Sequence, residues 1–174
     1  MISDPTGRYV YVVNQGDATI SRYSVGAGGA LSGLYPATVS VGGTSPSVAG
    51  YSLSVDPNGH SLYVVITPRD PPVPPTTSIT QYATGDDGRL SPLNSGVINV
   101  ATIAGGPLAL DHSGAYAYLA GEALVGEAVA ADGEVLQFSV AGSGELTPIA
   151  SPTVTAARNP VGVAISPRGQ PPMC

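Results

Sequence analysis

The chain has 174 residues, with twelve acids against six cations for a formal net charge of −6, and so acidic a composition leaves no basic patch to neutralise phosphates, which excludes nucleic acid as a partner. A single cysteine, at the last position, allows no internal disulfide and no cysteine metal cluster. No apolar run approaches a membrane span, and 23 Gly and 17 Pro break a 43% hydrophobic sequence into short runs that suit brief strands better than amphipathic helices.

In chain order, Met1-Ile2-Ser3 reads as the tail of a strand and carries neither the basic region nor the apolar core of a signal peptide. Asp4-Pro5-Thr6-Gly7 is a turn, because Pro presets the dihedral that opens it and Gly accepts the positive φ that closes it. Tyr9 to Val13 alternates as a strand, and Ile20-Ser21-Arg22-Tyr23-Ser24-Val25 follows as the next. Gly28-Gly29-Ala30-Leu31 turns into a further strand through Ala37 to Val41. The same order returns twice. Asp56-Pro57-Asn58-Gly59, Tyr63-Val64-Val65, Ile79-Thr80-Gln81-Tyr82, Gly88-Arg89-Leu90 and Gly96 to Val100 form the second pass. Asp111-His112-Ser113-Gly114, Tyr118-Leu119-Ala120, Val135-Leu136-Gln137-Phe138 and Gly144-Glu145-Leu146 form the third. Val161 to Ile165 looks like another opening strand, followed by Ser166-Pro167-Arg168-Gly169.

The turn glycines Gly7, Gly59, Gly114 and Gly169 lie 52, 55 and 55 residues apart. Repeat units therefore run roughly over 4–55, 56–110 and 111–165, with a fourth begun at 166, within one partial domain over 1–174. Four short strands in about 50 residues is the pattern of a β-propeller blade. The expected fold is all-β: a segment of about three four-stranded antiparallel blades, with Tyr23, Tyr82 and Phe138 at equivalent positions. The absence of Trp argues against blades keyed on a Trp-Asp dipeptide.

Tyr11-Val12-Val13-Asn14-Gln15-Gly16-Asp17, the Ile-x-x-Tyr strand, the Gly-x-Leu turn and the Asp-Pro-x-Gly turn, recurring in fixed order, resemble the lactonase-type seven-bladed propellers similar to 6-phosphogluconolactonase, with the related YVTN repeats. The resemblance spans the whole chain. It implies a fragment of a seven-bladed ring, since propellers close with four to eight blades, and it implies missing blades or an oligomer partner against the two terminal sheets; two copies of a short chain would be the other way to a ring.

For function the resemblance implies hydrolysis of a sugar-acid or related lactone by the full-length protein. The alternative is a non-catalytic YVTN-type propeller that binds a protein or glycan at the cell surface. Abundant Ser and Thr and the absence of Lys fit an exported (periplasmic or extracellular) protein better than a cytoplasmic one. Neither reading calls for a cofactor or metal. Binding residues are sought where the second strand links to the third and the fourth strand to the next blade, because loops vary there on a rigid scaffold. Gly7 to Tyr23 is 16 residues, but the matching spans in the second and third units are 23 and 24. The extra residues form a Pro-rich loop, Pro68 to Pro75 with Arg69, and a second loop, Gly121 to Glu127 with Glu122 and Glu127. Arg158 and Asn159 precede the Val161 strand and are placed at the channel mouth, where Arg is suited to an acidic substrate. His60 and His112 fall in the opposite turns and are read as structural or merely exposed; Asp4, Asp56 and Asp111 are read as acceptors for turn N–H groups. No His–carboxylate pair or metal cluster is visible, so any complete catalytic set must draw on blades outside the segment.

Overall fold

The computed structural model describes residues 1–42, 48–68, 76–104, 106–125 and 128–166. Its strands fall, in chain order, into three antiparallel sheets. The first holds β1 (Ile2–Ser3), β2 (Tyr9–Asn14), β3 (Thr19–Val25) and β4 (Leu31–Ser40). The second holds β5 (Val48–Val55), β6 (Ser61–Pro68), β7 (Thr77–Thr84) and β8 (Leu90–Val100). In the third, β9 (Thr102–Ala104) and β10 (Ala109–Leu110) share the edge of β11 (Tyr116–Val125), which pairs with β12 (Ala128–Val140) and then β13 (Leu146–Ala156). Among the described residues the only helix is the 3-10 turn Ala27–Gly29. These are the three blades expected, each a meander of sequence neighbours, with β9 added to the third by pairing with β11 rather than with β10.

The turn between first and second strands shows why the repeat keeps its Asp. In the first blade, Asp4 Oδ1 accepts the Tyr9 N–H at 2.7 Å, while Oδ2 accepts the Thr6 N–H at 3.2 Å and the Thr6 hydroxyl. Asp111 repeats this with the Tyr116 N–H (2.9 Å), the Ser113 N–H (3.3 Å) and the Ser113 hydroxyl (2.5 Å). Asp56 accepts the His60 N–H at 3.3 Å. The carboxylates thus serve the backbone, as their sequence position suggested.

Register fixes the equivalence of the three aromatics. Tyr23 lies opposite Val10 and Gly33, Tyr82 opposite Leu62 and Pro92, and Phe138 opposite Ala117 and Pro148. Each follows a bulge at which one third-strand residue, Arg22, Gln81 or Gln137, stands against four unpaired residues of the fourth strand.

Side chains alternate across a strand, so a middle blade must be apolar on both faces. On β6, Leu62, Val64 and Ile66 pack toward the first blade with Tyr11, Ile20, Val41, Tyr82 and Leu90. Tyr63 and Val65 pack the other way with Ile79, Val100, Leu108, Ala117, Leu119, Phe138 and Leu146. Polar groups stitch the same interfaces. The Tyr63 hydroxyl donates to the Gly144 carbonyl at 2.7 Å, and Gln81 Oε1 accepts the Leu146 N–H at 2.8 Å, so the second blade grips the Gly-x-Leu turn of the third. Tyr11 reaches the Gly88 carbonyl (3.4 Å) in the equivalent place, and Tyr82 donates back to the Ser40 carbonyl (2.7 Å). Near the axis, Ser54 Oγ donates to the Leu108 carbonyl at 2.6 Å.

Three local expectations are corrected. Gly121 to Glu127 is not a surface loop as far as it is described: β11 continues to Val125 and β12 begins at Ala128. The reason is pairing on both sides, since Gly121, Glu122 and Ala123 also bond β9. Val161 to Ile165 forms no strand; its hydrophobic pattern suits one, but an extended segment needs a ladder partner, and it has none among the described residues. Pro68 closes β6 opposite Val48 rather than opening a loop, at a strand end where a missing donor is tolerated. The rest of the Pro-rich segment lies outside the described residues.

Candidate functional site

The opening strands lie side by side, β5 touching β1 on one flank and β10 on the other, which defines the inner edge of the blades. The ends that carry the second-to-third-strand links are where a variable site would be built. In the first blade, Asn14 closes that end by donating from Nδ2 to the hydroxyls of Thr19 (2.9 Å) and Ser21 (2.8 Å).

In the third blade this end is the extended β11–β12 hairpin. Glu122 sits on β11 opposite Gly133, half-buried, and its carbonyl accepts the buried Thr102 hydroxyl at 2.7 Å. Gly133 has no side chain, and the Pro160 ring and the Ala157 carbonyl occupy the space where a Cβ would stand. That close approach folds the turn after β13 back onto β12. Arg158 and Asn159 therefore come to the same end of the blade as Glu122, both exposed, with Asn159 in the left-handed region at φ 55. The chain then runs on so that the Val161 carbonyl lies over Gly106. Three of the five candidate residues thus share one end of the third blade; Arg69 and Glu127 lie outside the described residues. The arrangement offers a guanidinium, an amide and a carboxylate, which can hold a polar or acidic ligand by hydrogen bonds.

At the opposite ends, a cleft of about 310 Å³ lies between the Asp turns of the second and third blades, lined by Asp56, Asn58, His60, Ser61 and Ser113 among others. His60 and His112 are exposed in these turns. Among the described residues no group of three or more His, Cys, Asp or Glu is placed to hold a metal. Burial raises the hydroxyls of Tyr11, Tyr63 and Tyr82 to about 12, which keeps them neutral donors across the interfaces.

A second cavity, of about 370 Å³, opens on the outer edge between the first and second blades and includes Arg22, which is 1% exposed. Sequence reading by motif passed over this residue. The signal was present: at the bulge position of the other two blades stands Gln, Gln81 and Gln137.

No family model and no curated protein matches the chain. Solved structures do match in fold. A putative 6-phosphogluconolactonase from Bacteroides fragilis aligns with a TM-score of 0.66 at 18% identity, over 91% of this chain and 39% of that one. A putative 6-phosphogluconolactonase from Bacteroides uniformis aligns with a TM-score of 0.69 at 15% identity, over 92% and 41%. The periplasmic gluconolactonase of Pseudomonas aeruginosa aligns with a TM-score of 0.67 at 15% identity, over 91% and 39%. At these identities the likeness is one of fold, and the chain spans about two fifths of each of these proteins.

Proposed function

We propose that this chain is a three-blade part of a lactonase-type propeller with YVTN-like repeats, and that the complete bacterial protein hydrolyses the ring ester of a sugar acid or a related lactone. The observation that carries this reading is the fold likeness to 6-phosphogluconolactonase and gluconolactonase structures over nine tenths of the chain. Motif order, Asp-Pro-x-Gly through Ile-x-x-Tyr to Gly-x-Leu, supports it independently. Lactone hydrolysis adds water to the ring carbonyl and breaks the ring C–O bond, releasing a carboxylate and an alcohol. It requires a base for the water and donors for the developing oxyanion. Arg158 and Asn159 are assigned as donors to the substrate's oxygens, with Glu122 at the same rim. Arg69 and Glu127 are kept as rim residues of the same face. The remaining groups belong to blades beyond this segment. An exported location is part of the proposal, and the periplasmic neighbour favours it.

The test is a pH-stat assay of the complete ring on glucono-lactone and its 6-phospho form. Saturable hydrolysis is expected, with Arg158→Ala lowering kcat/KM by about tenfold or more. An intact ring that turns over neither lactone overturns the activity. An active ring indifferent to Arg158→Ala overturns the site.

A further inference from the structure

We propose that the outer cavity between the first and second blades is a binding site for a small organic carboxylate. It lies at the rim, on strands other than those that carry Glu122 and Arg158, and does not depend on the lactonase reading. The argument begins with the repeat. At the second interface, Gln81 Oε1 accepts the outward N–H of Leu146 at 2.8 Å. Leu90 holds the same place in its own hairpin. Gly85 N–H donates to the Arg89 carbonyl as Ala141 N–H does to that of Glu145, and Thr84 N–H to the His60 carbonyl as Val140 N–H does to that of Ala115. Its N–H therefore turns outward toward the first blade. There the facing residue is Arg22, which has five donors and no acceptor. The pocket thus sets donor against donor.

Arg22 is buried, its Nη2 donates to the Pro36 carbonyl, and its Nε has no partner. A buried guanidinium without a counter-charge is costly. The nearby Asp87 carboxylate does not supply one, because it holds the Arg89 side chain at 3.0 Å and the Arg89 N–H at 3.1 Å. What the cavity lacks is an acceptor with one negative charge. A carboxylate places one oxygen on Arg22 Nε and the other toward Leu90 N–H and Ser91, a planar match to the guanidinium. The rest of the wall is Tyr35, Pro36, Val39, Leu90 and the Asp87-paired Arg89, and its apolar part suits an aliphatic or ring body. A phosphate dianion would demand a second free cation, and Arg89 is already paired.

Calorimetric titration of the full chain with sodium benzoate, sodium acetate and inorganic phosphate, at ionic strength matched with sodium chloride, tests this. Saturable one-site binding of benzoate is expected, tighter than acetate. Arg22→Gln should weaken it by about tenfold or more. The same variant should raise the thermal midpoint without ligand, since Gln restores the acceptor for Leu90 N–H. Arg89→Gln, a surface change, should weaken binding only a few-fold. The proposal falls if neither carboxylate binds, if phosphate alone binds, if Arg22→Gln binds benzoate as the parent does, or if that variant melts lower.

Discussion

Gly144 holds a left-handed backbone at φ 92, and the Ser61 hydroxyl stands where its side chain would begin. Gly28 has a similar φ of 76 but open space around it. The pair separates backbone strain from collision. Gly28→Ala should cost about 1 kcal/mol, and Gly144→Ala about 3 kcal/mol or more, in urea denaturation. Titration at single residues gives a second check. Burial acts to raise the Asp4 and Asp111 carboxyls, but bonds from the Thr6 and Ser113 side chains and the turn N–H groups outweigh it and hold both below their ordinary 3.8. Carboxyls more acidic in the folded than in the unfolded chain add stability above about pH 4 that is lost on further acidification. Asp4→Asn with Asp111→Asn should flatten that acid limb of the urea midpoint. The buried tyrosines work in the other direction. Their folded value near 12 against 10 unfolded gives stability that is complete below pH 10 and disappears as pH rises toward 12. Tyrosinate absorbance should accordingly lag for these three and then appear together with unfolding.

At the scale of strands, the interblade hydroxyls give a graded set. Tyr63→Phe and Tyr82→Phe each remove one buried donor from a carbonyl of the adjacent blade, and each should cost about 1 kcal/mol in the same denaturation assay. The strands also show which signals a sequence carries. Asp-Pro-x-Gly turns and the phase of Tyr23, Tyr82 and Phe138 were legible because local chemistry and strict repetition set them. The glycines of the Gly121 to Glu127 segment misled, since they suggest a loop while pairing with β9 and β12 makes its described part, up to Val125, strand. Val161 to Ile165 misled in the opposite sense, its apolar pattern promising a strand that finds no partner among the described residues. At the candidate site, the clustering of Glu122 with Arg158 and Asn159 depends on Pro160 seating on Gly133, a contact between segments that no motif encodes. Arg22 required aligning the repeats residue by residue, because its meaning lies in the Gln it replaces.

Across the whole molecule, the two terminal sheets carry the residue set of the inner interfaces without its cover. Leu31 is 50% exposed, whereas its counterparts Leu90 and Leu146 are 7% and 5%. Val10, Val12 and Tyr23 on one outer face, and Tyr118 and Gln137 on the other, occupy the positions that Leu62, Val64 and Tyr82, and Tyr63 and Gln81, hold in the second blade, and they remain only half-buried. Stability in such an array is close to a sum of blade and interface terms, so the faces should find partners. Light scattering of the 174-residue chain should give a mass above 17.3 kDa that rises with concentration; a strictly monomeric chain would show that the faces are satisfied alone.

The grip of Tyr63 and Gln81 on the turn of the following blade gives the array a direction. Strands that leave the ribosome early already carry the donor and acceptor that will seize a hairpin not yet made. Each finished blade is thus a template for the next, and a chain emerging N-terminus first at about 5–20 residues per second has time to seat one blade before the next arrives. Assembly of this kind is vectorial. A circular permutant that opened the chain within the Gly142-Ser143-Gly144 turn would lose that order while giving up little more than the turn bond from the Gly144 N–H to the Ala141 carbonyl.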